Sequence, residues 1–193
     1  IPHDENYHGY HNDKNMNSVR LVNIESALIK YKAKNKKLVG NINIEKVNSE
    51  NSAIKLSNVK FLILNSTGDK YIKVQVQGKT GYQTEITGTA TVTKQDYTTN
   101  IAEATTFITD SNGMISINNL ELQSPDNNTE TNSTAQYIVK EISNPYYGYE
   151  LDPDYIIWKV TGGTLVSPTN KGLQMPINIP DKGTTSVTVA NEQ

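Results

Sequence analysis

From Asn41 onward the apolar residues of this chain recur at every second position, and the helical period is missing. Side chains on an extended strand alternate between faces, so this pattern buries its apolar half by laying strands into sheets with one face turned inward. NINIEKV sets Ile42, Ile44 and Lys46 on one face, and VKFLIL does the same for Val59, Phe61 and Ile63. YIVKEI aligns Tyr137, Val139 and Glu141, and SVTVANEQ aligns Val187, Val189 and Asn191. Between Phe107-Ile108 and Ile115/Ile117 stands Asn112-Gly113, a pair suited to positive φ, which predicts a tight hairpin. Strands without helices make an all-β sandwich the economical expectation.

Within 193 residues there is room for one good-sized sandwich and an appendage, and enough chain to bury a real core. Residues 1–40 read as an N-terminal tail, linker or the end of a preceding unit, and residues 41–193 as the sandwich domain. The opening IPHDENYHGYHNDKN is polar and aperiodic, which predicts little order. SVRLVNIESALIKYKAKNKKLVG (residues 18–40) fits either a helix over Ile24 to Lys34 or a closing strand and linker. Residues 66–106 hold further alternating runs, YIKVQVQ and TEITGTATV, and are expected to form an extra hairpin on the sandwich. QSPDNNTETNST (residues 123–134) has the composition of an exposed loop. Ile1-Pro2 suggests a mature or excised piece of a longer chain.

Composition narrows function mostly by exclusion. The formal charge of -2 comes from scattered acids and bases, with no basic stripe for nucleic acid or an anionic membrane, and no run approaches a bilayer span. Cysteine is absent, so disulfides, thiolate metal sites and cysteine nucleophiles are excluded. There is no G-x-S-x-G, no H-E-x-x-H and no phosphate-cradling glycine loop, and all three histidines lie in the first 11 residues. A conventional hydrolase has nowhere to place a base, and no cofactor is expected.

What does stand out is polar. Lys46, Glu141 and Asn191 each continue an apolar run at a two-residue step and so point inward. A lone Lys, Glu or Asn in a sandwich core costs several kcal/mol of desolvation, so an inward trio has to be mutually satisfied or chemically joined. Each residue also lies near a strand end, where a side chain can emerge at the rim. Register by itself leaves both readings open.

Four pieces of the chain, in order, resemble the CnaB-type (SpaA-like, prealbumin-like) domains of Gram-positive adhesins and pilins. IEKVNSENSAIKLSNVKFLIL is similar to the family's first strand with its lysine, a turn and a strand of small-x-Phe-x-aliphatic pattern. TDSNGMISINNL is similar to its TD-x-x-G-x-x-x-x-x-x-L hairpin, YIVKEISNPYYGYEL to its Y-x-aliphatic-x-E strand followed by Pro and Gly-Tyr, and VTVAN to its closing strand ending in Asn or Asp. The resemblance covers about residues 41–193. It implies an Ig-like or prealbumin-like β-sandwich with an inserted hairpin, in which Lys46 attacks the side-chain amide of Asn191 with Glu141 as proton relay. The product is an intramolecular isopeptide bond, formed once, so the domain is not an enzyme in the turnover sense. The implied role is a stalk module of a cell-wall-anchored surface protein outside the cell, partnered by neighbouring domains of the same protein. An adhesin that binds a host matrix protein or glycan through its inserts is the alternative; an exposed aromatic cluster in residues 66–106 favours it, and plain polar loops favour the stalk. Lys55, Lys60 and Lys140 are the nearby alternatives to Lys46, but Lys60 and Lys140 alternate with the core face and Lys55 falls in a turn.

Other signals have ordinary explanations. His3, His8 and His11 with Asp4, Glu5 and Asp13 offer metal-ligand types without a scaffold to fix them. Tyr146, Tyr147 and Tyr149 are expected to pack structurally, and Trp158 to be half-buried. Asn65, Asn127 and Asn132 stand in N-x-S/T sequons.

Overall fold

The computed structural model describes residues 38–122, 134–146, 148–149, 151, 153–163 and 171–191, with the side chains of residues 134, 135 and 154 left aside. The tail residues 1–37, with the three histidines and the 24–34 segment, lie outside the described residues, as do most of the 123–134 stretch, Tyr147, Asn127 and Asn132.

Among the described residues, eleven strands build an all-β, Ig-like sandwich: β1 (Val39–Asn48), β2 (Lys60–Leu64), β3 (Tyr71–Val76), β4 (Glu85–Thr87), β5 (Thr89–Thr98), β6 (Thr106–Ile108), β7 (Met114–Glu121), β8 (Thr134–Ser143), β9 (Ile156–Thr161), β10 (Gln174–Pro180) and β11 (Thr184–Asn191). They run in the order β10-β8-β2-β3-β5-β7-β1-β11-β9. Strand β5 turns the corner between two layers. Its first residues, Thr89 to Thr91, pair in parallel with β7, and the rest pairs antiparallel with β3. One layer is therefore β7-β1-β11-β9, the other β3-β2-β8-β10, with β6 and β4 attached beside β2.

The alternating runs face one core. Ile42, Ile44, Val59, Phe61, Ile63, Tyr137, Val139, Val187 and Val189 are all buried in it, as period-2 patterning requires. Strand β2 departs from simple alternation because Leu62 and Leu64 are buried on its other face, against Ala104 and Ile138, beside the 3-10 turn Ile101–Glu103. Strand β10, at one end of the order, carries Pro176 and Pro180, residues that blunt a sheet edge by withholding N–H donors.

Three expectations are corrected in detail. The Asn112-Gly113 turn forms, with Gly113 at φ +70, but the strands it joins do not pair as a hairpin. Strand β6 bonds β2 and β4, and β7 bonds β1 and β5, so the turn carries the chain from one layer to the other. Residues 66–106 do supply an antiparallel pair, β3 with β5, but it is built into the sandwich, with Ile72 and Val74 fully buried. Trp158 is fully buried, not half-buried; its indole N–H donates to the Gly172 carbonyl at 2.7 Å, which satisfies its one polar atom inside the core.

A buried polar network joins the layers near the end of β7. The Tyr137 hydroxyl donates to the main-chain carbonyl of Glu121 and accepts from Gln95 Nε2 at 2.8 Å, while Gln95 Oε1 accepts the Glu121 N–H at 3.1 Å. Burial pushes the Tyr137 phenol well above its ordinary range, so it stays a donor at any working pH. Tyr137→Phe removes the shared hydroxyl and is expected to cost about 1–3 kcal/mol in chemical denaturation, with the denaturant slope unchanged.

Candidate functional site

Three strands carry three polar side chains into one place. Lys46 sits near the end of β1, and β11 runs beside β1 in parallel with Lys46 opposite Val189 and Asn48 opposite Asn191. Asn191 is thus one inward position further along the neighbouring strand than Lys46. Glu141 comes from β8 in the facing layer. Relative exposures of 0%, 1% and 0% for Lys46, Glu141 and Asn191 decide between the two readings left open by register: none emerges at the rim.

The contacts close a triangle. Lys46 Nζ donates to Asn191 Oδ1, Asn191 Nδ2 donates to Glu141 Oε1 at 3.2 Å, and Lys46 Nζ lies 3.2 Å from Glu141 Oε2. One carboxyl therefore touches both nitrogens, each through a different oxygen. It meets the amide at its nitrogen and not at the carbonyl oxygen. The Oε2 contact is close enough for an ion pair but off the direction of a hydrogen bond.

Burial governs the protonation of the pair. Desolvation lowers the Lys46 amine from its ordinary 10.5 to about 8, against the opposing pull of the nearby Glu141 charge. Desolvation likewise raises the Glu141 carboxyl, against the stabilising contacts of Lys46 and Asn191. Both shifts favour neutral forms, an amine with a free lone pair and a carboxyl with a proton to give.

None of the competing lysines enters the site. Lys55 pairs with Glu45 and Lys60 with Glu85 at 3.0 Å, and Lys140 is half-buried on the alternate face of β8. One neighbour escaped the sequence reading. Asn48 is buried beside Asn191, where its Oδ1 accepts the Asn51 N–H at 2.8 Å and its Nδ2 donates to the Tyr149 hydroxyl. The register signal was present, since Asn48 follows Lys46 by two residues, but a polar residue before Ser49-Glu50 reads as the start of a turn. Tyr146 and Tyr149 meet edge to face with centroids 6.3 Å apart, and the Tyr146 hydroxyl accepts from the Ser57 N–H at 3.0 Å, so both pack structurally. In residues 66–106 the large apolar side chain left exposed is Ile101, and no exposed aromatic cluster is present.

No protein-family model matches the chain, and no curated protein matches it. Among solved structures it is similar to the shaft pilin SpaA of Lactobacillus rhamnosus GG, at 17% identity and a TM-score of 0.48 over 82% of this chain and 49% of that one. It is also similar to the separately solved C-terminal domain of that shaft pilin, at 17% identity and a TM-score of 0.46 over 81% of this chain and 98% of the domain. The chain thus spans about half the length of the longer shaft-pilin structure.

Proposed function

We propose that Lys46 and Asn191 become joined by an isopeptide bond with Glu141 as proton relay, and that the domain serves as a covalently locked stalk module of a bacterial surface protein. The observation that carries this reading is the single carboxyl bridging the attacking and the leaving nitrogen, at 3.2 Å from each, in a site closed to water. The Lys46 amine adds to Cγ of Asn191. Its proton passes to Glu141 Oε2, the carboxyl delivers a proton through Oε1 to Nδ2, and the C–N bond to Nδ2 breaks. One amide forms, one amide is lost, ammonia departs, and Glu141 ends as it began. Nothing regenerates the amine, so the event happens once per chain.

The stalk role is supported by the order of the family-like motifs, by the parallel pairing of β1 with β11, the first and last of the described strands, and by plain polar surfaces where the adhesin alternative calls for an aromatic cluster. A domain beginning just before β1, two to three residues ahead of the boundary expected at 40 and 41, belongs to this same reading, as do cell-wall anchoring and partnership with neighbouring domains. Intact-protein mass spectrometry tests it: the folded protein is expected to lack the mass of one ammonia.

The pair also sets a pH window. The reactive form holds one proton between the two groups, on the carboxyl. Below the raised pKa of Glu141 both groups are protonated and the amine cannot attack; above about 8 the last proton is lost and no acid remains. Cross-linking of freshly synthesised chain, followed by mass against time, is expected to trace a bell with its upper limb near pH 8. In an Asn191→Ala chain, where the pair stays unreacted, the lowered amine works on stability. The unfolded chain binds more protons between about 8 and 10.5, so stability rises with pH across that interval.

A further inference from the structure

The nucleophile of the proposed cross-link is positioned from a part of the chain far from it in sequence. Beyond Glu45, which pairs with Met114, the β1–β7 ladder gives way to the turn at residues 110–113. There the Gly113 carbonyl accepts the Lys46 N–H at 2.8 Å, and the Lys46 carbonyl accepts the Leu56 N–H at 3.0 Å. Both main-chain polar groups of Lys46 are thus held by loop residues. The turn is itself tightly specified: Gly113 N–H donates to the Asp110 carbonyl at 2.9 Å, and Asp110 Oδ1 accepts the N–H groups of Asn112 at 2.9 Å and Met114 at 3.0 Å.

Gly113 is required here for two separable reasons. Its φ of +70 lies in the left-handed region that side chains with a Cβ adopt only at a cost. A Cβ at this position would also stand 2.7 Å from the Lys46 carbonyl oxygen and 3.1 Å from Leu56 N. Both are main-chain atoms, so relief means moving the β1 backbone at Lys46 or the turn itself. Because Nζ has to meet one amide carbon inside a packed core, a backbone shift of a few tenths of an ångström at Lys46 is carried directly to the reacting atoms.

Resting on the cross-link reading above, we infer that Gly113, fixed by Asp110, is a positioning residue for the Lys46 nucleophile. It touches neither the amine nor the amide; it sets where the lysine starts.

The test is the rate at which full-length chain, made by cell-free synthesis, loses about 17 Da, the ammonia of transamidation, with folding followed in parallel by circular dichroism. Gly113→Asn keeps a residue type that tolerates positive φ and adds a Cβ, with its short carboxamide, at the crowded contact; it is expected to cross-link at least about tenfold more slowly than wild type while folding. Asp110→Ala adds nothing at the contact and frees the turn, so it is expected to slow the reaction several-fold. Gly78→Ala is the control: Gly78 also has φ +80, but a Cβ there meets nothing within 4 Å, and its rate is expected to equal that of wild type. Gly113→Asn or Asp110→Ala reacting at the wild-type rate overturns the inference, as does a Gly78→Ala chain slowed as much as Gly113→Asn. Wild-type chain that folds and never loses the ammonia overturns the cross-link, and this inference with it.

Discussion

Folded wild-type protein is expected to weigh about 17 Da less than its sequence, the mass of the ammonia expelled when the amine displaces the amide. Lys46→Ala, Asn191→Ala and Glu141→Ala should each restore the full mass, the first two by removing a reactant and the third by removing the relay between the two nitrogens. The same variants should melt lower. The bond closes a loop across a sequence separation of 145 residues, and on the chain-entropy model restricting the unfolded state to that extent stabilises by about 5 kcal/mol. For a domain of this size that corresponds to a loss of roughly 10–20 °C in Tm. Lys46→Ala and Glu141→Ala add a second cost of about 3–5 kcal/mol where the surviving partner stays ionised in the core, partly relieved if it neutralises instead. Asn191→Ala leaves the Lys46–Glu141 pair intact, so it isolates the covalent contribution most cleanly. Finding the unmodified mass in fully folded wild-type protein would sink the cross-link.

Pulled by its two ends, the cross-linked domain should show no long unfolding step at all. Strands β1 and β11 are parallel neighbours, so tension applied at Val39 and at Asn191 loads them in shear along their shared ladder. With the bond in place, load enters along β1 as far as Lys46, crosses to Asn191 and leaves, and the core between them carries none of it. In Lys46→Ala the whole intervening chain becomes extensible. At about 3.3–3.6 Å per extended residue, a separation of 145 residues releases on the order of 500 Å of contour length. Single-molecule force extension with handles at both ends distinguishes the two cases directly. A wild-type trace with the same long step as Lys46→Ala would mean that no covalent tie spans Lys46 and Asn191, and overturns the cross-link independently of the mass.

The inward direction of Lys46, Glu141 and Asn191 was legible in the sequence because strand alternation is a local property: each residue's face follows from its neighbours two positions away. The same logic marked Ile42, Phe61, Val139 and Val189 as core residues, and all are buried. Which strands lie side by side is a different matter. That β11 runs parallel to β1, two residues out of step at the lysine and the amide, while Glu141 arrives from the facing layer, depends on contacts between segments 50 to 145 residues apart. No local period records such pairings. The same limit explains the turn at Asn112-Gly113, whose residue types specify a backbone bend but not that β6 and β7 part to different layers. It explains Trp158, half-buried by its ordinary habit and wholly buried once the Gly172 carbonyl takes its N–H. It also explains Leu62 and Leu64, which alternation sends to opposite faces from Phe61 and Ile63 and which only packing against Ala104 and Ile138 removes from water. Which side chains turn inward follows from steric alternation along one strand and is written in the local order of residues. Which of them meet follows from the packing of strands that are distant along the chain, and that exists only in the folded sandwich.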